Sequence, residues 1–95
     1  MGVAQLSTFS LLSQVMGKEN NIEKVLGQVI RELRLARNLS QEKLAELGDF
    51  ERSYISKVEN GERAIQFKTV VRFAQAFGIR ASELVQEFEL RMYSD

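Results

Sequence analysis

Arg52, Ser53, Tyr54 and Lys57 stand close together in the run ERSYISKVENG. They bring an arginine fork, a hydroxyl, a phenol and an ammonium, so all four are hydrogen-bond donors and one also carries a flat ring. That set suits contact with base edges and phosphates. An arginine can give two parallel hydrogen bonds to guanine, and an aromatic ring can cover a thymine methyl. Ser53 and Tyr54 can reach a base edge or a phosphate, and Lys57 suits a base or the flanking backbone. The plain alternative is a solvated helix face. It stays open, most of all for Tyr54, because tyrosines are often half buried.

Such side chains need a rigid element to present them. The stretch Leu39 to Gly61, LSQEKLAELGDFERSYISKVENG, reads as two short amphipathic helices with almost nothing between them. Leu44, Ala45, Ile55 and Val58 fall where two steeply crossing helices must touch. A two-helix corner of this kind is a device for placing its second helix in the major groove. Ser40 suits the N-cap of the first helix, about Gln41 to Leu47. The break falls at Gly48–Asp49–Phe50. The second helix runs near Arg52 to Glu59 and stops at Asn60–Gly61.

Three further helices surround the corner. One, about Glu23 to Arg37, buries a stripe of Ile22, Val25, Leu26, Val29, Ile30, Leu33 and Ala36 and stops at Asn38, a plausible left-handed residue. Another, about Phe67 to Phe77, turns Val70, Val71, Phe73, Ala74 and Phe77 inward before Gly78. The last, about Glu83 to Arg91, is capped by Ser82 and carries Leu84, Val85 and Phe88 on one face. Phe67, Phe73, Phe77 and Phe88 are assigned to the core. Leu6, Phe9, Leu12, Val15 and Met16 are also helically spaced, so residues 1–21 read as an N-terminal extension, a helix or an arm, ahead of a domain at 22–95. Nothing alternates at period two. The expected fold is all-α, a compact five-helix domain with that extension.

Composition narrows the chemistry. The 95 residues are 44% hydrophobic, which suits one globular domain. There is no cysteine and no histidine, which removes thiolate sites, disulfides, the commonest general base and the commonest zinc ligand. No glycine-rich phosphate loop or metal-ligand spacing is present, so the chain reads as neither an enzyme nor a cofactor binder. No apolar run is long enough to cross a bilayer and no signal-peptide pattern is read, so a reduced, cytoplasmic setting without membrane contact is expected.

Thirteen basic and thirteen acidic side chains cancel, which counts against nucleic acid as a partner. Their distribution softens the point. Arg31 to Arg80 holds ten Lys/Arg and seven Asp/Glu, whereas Ala81 to Asp95 holds four acids and one base.

The order IRELRLARNLSQEKLA, ERSYISKVENGER and then FGIRASEL resembles the lambda-repressor-like helix-turn-helix family of Xre type, over about Val25 to Phe88. Several motifs match in register: SQ opening the helix near Gln41 to Leu47, LA within it, SYIS in the helix near Arg52 to Glu59 and ENG after it. The chain is most similar to small stand-alone regulators such as restriction–modification controllers. One departure is that the family usually has Gly at the position of Asp49, and here the Gly is Gly48. The turn needs a residue that tolerates positive φ, and Asp does so better than most.

The resemblance implies roles beyond the four donors. Gln41 would hold a phosphate with its side chain and backbone N–H, which agrees with the pull of a helix N-terminus on anions. Asn60, Arg63, Lys68 and Thr69 would touch the sugar-phosphate backbone and set register. Arg34 and Glu59 would form a partly buried pair tying the first helix to the recognition helix, with spare guanidinium hydrogens left for a phosphate.

These readings converge on a sequence-specific regulator of transcription, a repressor or autoregulator, with double-stranded DNA as its partner. One helix reads too few base pairs for selective binding, so a homodimer on a two-fold operator is expected. Leu84, Val85, Phe88, Leu90, Met92 and Tyr93 exceed what one small core absorbs, which puts the dimer interface at the C-terminal helix. The alternative on the same fold is a protein-interaction module, such as an antitoxin with a toxin partner.

Overall fold

The computed structural model of the chain describes residues 20–93. They form five helices: α1 (Asn20–Ala36), α2 (Gln41–Gly48), α3 (Arg52–Glu59), α4 (Phe67–Phe77) and α5 (Ala81–Met92). No strand occurs among the described residues. The sequence pattern of Leu6 to Met16, and most of the 1–21 extension, lies outside them.

Local chemistry sets most of the boundaries. The Ser40 hydroxyl accepts from the Lys43 N–H at 2.9 Å and starts α2. Asp49 ends α2 in the left-handed region, at φ 56°, and its N–H donates to the Ala45 and Glu46 carbonyls. Asp therefore supplies the positive φ that the displaced glycine does not, as the sequence implied. Asn38 does the same after α1 at φ 55°, and Gly78 after α4 at φ 73°. At the end of α3 the task falls to Gly61, while Asn60 stays right-handed.

The helices close on one core. Val29, Ile30, Leu44, Ile55, Val58, Phe73 and Leu84 are completely buried. Sinking each side chain of this kind stabilises the fold by roughly 1.5–3 kcal/mol relative to exposure. Leu44 and Ala45 of α2 and Ile55 and Val58 of α3, the four residues the spacing placed at the crossing, are all buried in this core. Phe50, Tyr54, Phe73 and Phe77 form a run of stacked rings, with Phe50 and Phe73 centroids 4.4 Å apart.

Several expectations need correction. Phe67 is not core: it is the first residue of α4 and 72% exposed. The buried stripe of α4 is Thr69, Val70, Phe73, Ala74 and Phe77, which includes the expected Val70, Phe73, Ala74 and Phe77. Ile22 and Ala36, at the two ends of α1, are exposed as well. Ser82 does not cap α5. The helix starts at Ala81, and the Glu83 carboxylate reaches back to accept from the Arg80 N–H at 2.9 Å. Leu84 is fully enclosed within its own subunit and has no surface to give an interface.

Candidate nucleic-acid interface

α3 carries the site, and α1 fixes α3. Gly27, in the middle of α1, lies against the last turn of α3 so tightly that an added Cβ would sit 2.3 Å from the Val58 carbonyl oxygen. A glycine inside a helix costs roughly 0.5–1 kcal/mol relative to alanine. Here it is the only residue that lets the two backbones touch. One turn earlier, Lys24 packs on Gly61, where a Cβ would come within 2.9 Å of the Lys24 Cα.

An ion pair completes the seam. Arg34 Nε donates to Glu59 Oε2 at 2.6 Å and Nη2 to Oε1 at 3.0 Å, while Nη1 donates to the Leu39 carbonyl at 2.7 Å. Both residues are 8% exposed. The Gln41 amide joins them, donating to Glu59 Oε1 at 3.1 Å. One carboxylate thereby links the end of α1, the start of α2 and the end of α3. With three of five N–H groups engaged and little surface left, Arg34 is a structural tie, and the phosphate contact implied for it is largely closed.

The far side of α3 is open. Arg52, Ser53 and Lys57 are exposed together, while Ile55 and Val58 point into the core. Arg52 Nε lies 3.4 Å from Glu42 Oε1, an ion pair in which both side chains remain mostly in solvent. Tyr54 is half-buried, with its ring stacked on Phe50 at 5.7 Å between centroids. The ring also lies near-parallel to Phe73 at 6.5 Å, so it is part of the aromatic run and only partly open to contact.

Ser53, Tyr54 and Lys57 line an open groove together with Arg63, Gln66 and Thr69. Asn60, Arg63 and Lys68 are exposed. Thr69 differs: at 8% exposure it closes the groove from inside, so its expected outward contact has almost no surface behind it.

Sequence reasoning missed Arg72. From α4 its Nη2 donates to the Gly48 and Asp49 carbonyls, at 2.9 and 2.6 Å, and its guanidinium lies 4.3 Å from the Phe50 ring centroid. It clamps the turn between α2 and α3 and forms part of the groove. An exposed arginine on a helix gives no sign of this in sequence. Gly27 did leave one, since an isolated glycine inside a helical stripe marks close backbone approach or a weak helix.

The other expected surface is α5. Val85 and Phe88 pack partly on the core, and Met92 is partly covered, whereas Leu90 is 58% and Tyr93 43% exposed. Arg91 binds Glu32 at 3.1–3.3 Å and so ties the end of α5 to α1. That carboxylate, chiefly through its hydrogen bonds, raises the arginine's pKa beyond its ordinary value. No helix among the described residues is long and apolar enough to cross a membrane.

This geometry has close relatives. A helix-turn-helix family model matches residues 30–84. The control protein C.BamHI of Bacillus amyloliquefaciens is 39% identical over 67 residues, which span 70% of this chain and 83% of that protein. The crystal structure of the restriction–modification controller protein C.AhdI from Aeromonas hydrophila superposes with a TM-score of 0.63 at 42% identity, over 65% of this chain and 94% of that one. The C.Esp1396I controller, solved as a tetramer in complex with its natural 35 base-pair operator, shares the fold at 20% identity, with a TM-score of 0.72 over 77% of this chain and 96% of that one. The chain belongs to the helix-turn-helix family, on the branch that holds the restriction–modification control proteins.

Proposed function

We propose that this chain is a sequence-specific DNA-binding regulator of transcription, which occupies a two-fold operator as a homodimer. The observation that carries this is the joint protrusion of Arg52, Ser53 and Lys57 from a helix whose opposite face is locked to α1 and α2. A major groove admits one helix, and the first turn of that helix meets the base edges. Arg52 reads guanine, and Ser53 and the Tyr54 rim contact neighbouring edges or phosphates. Lys57 serves the same strand further along. Gln41, Asn60, Arg63 and Lys68 hold the phosphates on either side. The zero net charge of the whole chain does not oppose this, because the site draws on the basic middle segment.

The relatives support the same reading. C.BamHI is named a control protein, and C.Esp1396I was solved on its operator. They favour a regulator over the antitoxin alternative. For pairing, Leu90 and, just after α5, Tyr93 are the exposed large apolar side chains, near Val85, Phe88 and Met92 in sequence.

Selection of bound duplexes from random DNA tests the proposal. The expected result is one enriched motif with two-fold symmetry, in which Arg52→Ala weakens the preference at one guanine per half-site and leaves the rest, and affinity that falls steeply with salt. Binding without a preferred motif, or none at all, would rule it out. Sedimentation at high micromolar concentration should give a dimer; a monomer there would refute the pairing.

A further inference from the structure

We propose that Glu42 is a positioning residue for Arg52 and sets how strongly the chain prefers its own site over other DNA. The inference rests on the DNA-reading role given above. Glu42 follows Gln41 in the first turn of α2, and Arg52 opens α3, so the 3.4 Å pair spans the corner between the two helices. The atom involved on the arginine is Nε. A guanidinium has a side edge, which contains Nε, and an end edge made of its two Nη groups. With the carboxylate at the side edge, the end edge stays available for guanine O6 and N7. Arg52 can therefore keep Glu42 while it reads a guanine.

A phosphate makes a different demand. The duplex backbone runs along the rims of the groove, not along its floor. To pair there, Arg52 has to swing its end edge sideways and leave Glu42. The carboxylate thus supports the arginine on the right base and opposes its diversion to a phosphate. A fixed negative charge acting only at a distance would weaken all DNA alike and leave the preference unchanged. Both side chains are largely exposed, at 61% for Arg52 and 76% for Glu42. The pair is therefore of the ordinary surface kind, and its effect amounts to about two- to five-fold.

The test uses the wild type, Glu42→Gln, Arg52→Ala and the double variant. Each is titrated by fluorescence anisotropy against two duplexes: the site the wild type selects from random DNA, and a scramble of equal composition. Glu42→Gln is expected to lower the ratio of the two affinities by about two- to five-fold. The loss should come mainly from tighter binding to the scramble, with the melting temperature little changed. In the Arg52→Ala background the same substitution should leave the ratio alone. A change of full size in that background, or an unchanged ratio in the single variant, overturns the positioning role. A wild type with no preferred duplex sinks the DNA-reading role and this inference together. That outcome is distinct from a wild type that selects a site but whose preference ignores Glu42.

Discussion

The two ends of α3 are held in opposite ways. The C-terminal end is locked: Gly27 admits backbone contact, Gly61 seats on Lys24, and Glu59 is shared by Arg34 and Gln41 in a buried network. The N-terminal end has none of this. Glu51 occupies the cap position without a side-chain capping bond, and Arg52 meets Glu42 only across a loose, exposed pair. Rigidity and availability are thereby separated along eight residues. One end fixes where the helix points, and the other leaves its donors exposed for the base contact proposed above. A helix clamped at both ends would have nothing left to read with, and one loose at both would lose its register.

The strongest way to break this contrast is at Glu59. Glu59→Ala strands a buried Arg34, at a cost of about 3–5 kcal/mol. The thermal midpoint should fall sharply and DNA affinity with it, as for Arg34→Ala. An Arg34→Ala protein that melts normally yet no longer binds would make that arginine a DNA contact and erase the distinction between the ends. Next comes Gly27→Ala. Its new Cβ meets backbone, which cannot step aside as a flexible side chain can. Overpacking of this sort costs about 1–3 kcal/mol, and the upper half is expected, read as a lower denaturation midpoint in urea. A neutral result would mean that the α1–α3 seam slides.

At the open end the signature reverses. Arg52→Ala should cost about 1–3 kcal/mol of discrimination at one guanine per half-site while leaving the melting curve in place. Loss of stability there would show the open end to be structural after all. Arg72→Ala is the mildest. It removes two hydrogen bonds to the turn and a cation–ring contact worth about 0.5–1 kcal/mol. A small drop in stability, with weaker binding than that drop explains, would mark the turn as what relays the clamp to Arg52. Equal losses would reduce Arg72 to a surface brace.

Much of this architecture is visible in the chain because short-range chemistry writes it. Ser40, Asp49 and Gly78 act on backbone groups within a turn of themselves, and both bounds of α2 and the end of α4 follow. Ser82 misled because Glu83 performs the same task from one position further along. Periodicity finds apolar faces but not what covers them. Phe67 continues the stripe of α4 beyond the point where a neighbour exists to receive it, and Leu84 looked like surplus although the core of its own subunit consumes it. The four donors of α3 stood out in the sequence because their types are chemically distinctive, and the structure leaves three of them, Arg52, Ser53 and Lys57, exposed. Arg72 and the Glu42 contact were not, since they depend on where α4 and α2 lie in space, and no spacing within one helix encodes that.

The positions of the two tyrosines have a practical consequence. The chain has no tryptophan, and Tyr54 and Tyr93 are its only tyrosines. One borders the groove of α3, and the other lies at the end of α5. Ultraviolet emission from the unlabelled protein therefore comes from two separated reporters. With Tyr93→Phe, the remaining signal belongs to the groove alone. In that variant the proposed docking of a duplex can be followed optically, and in Tyr54→Phe the proposed association of subunits, each without an added dye.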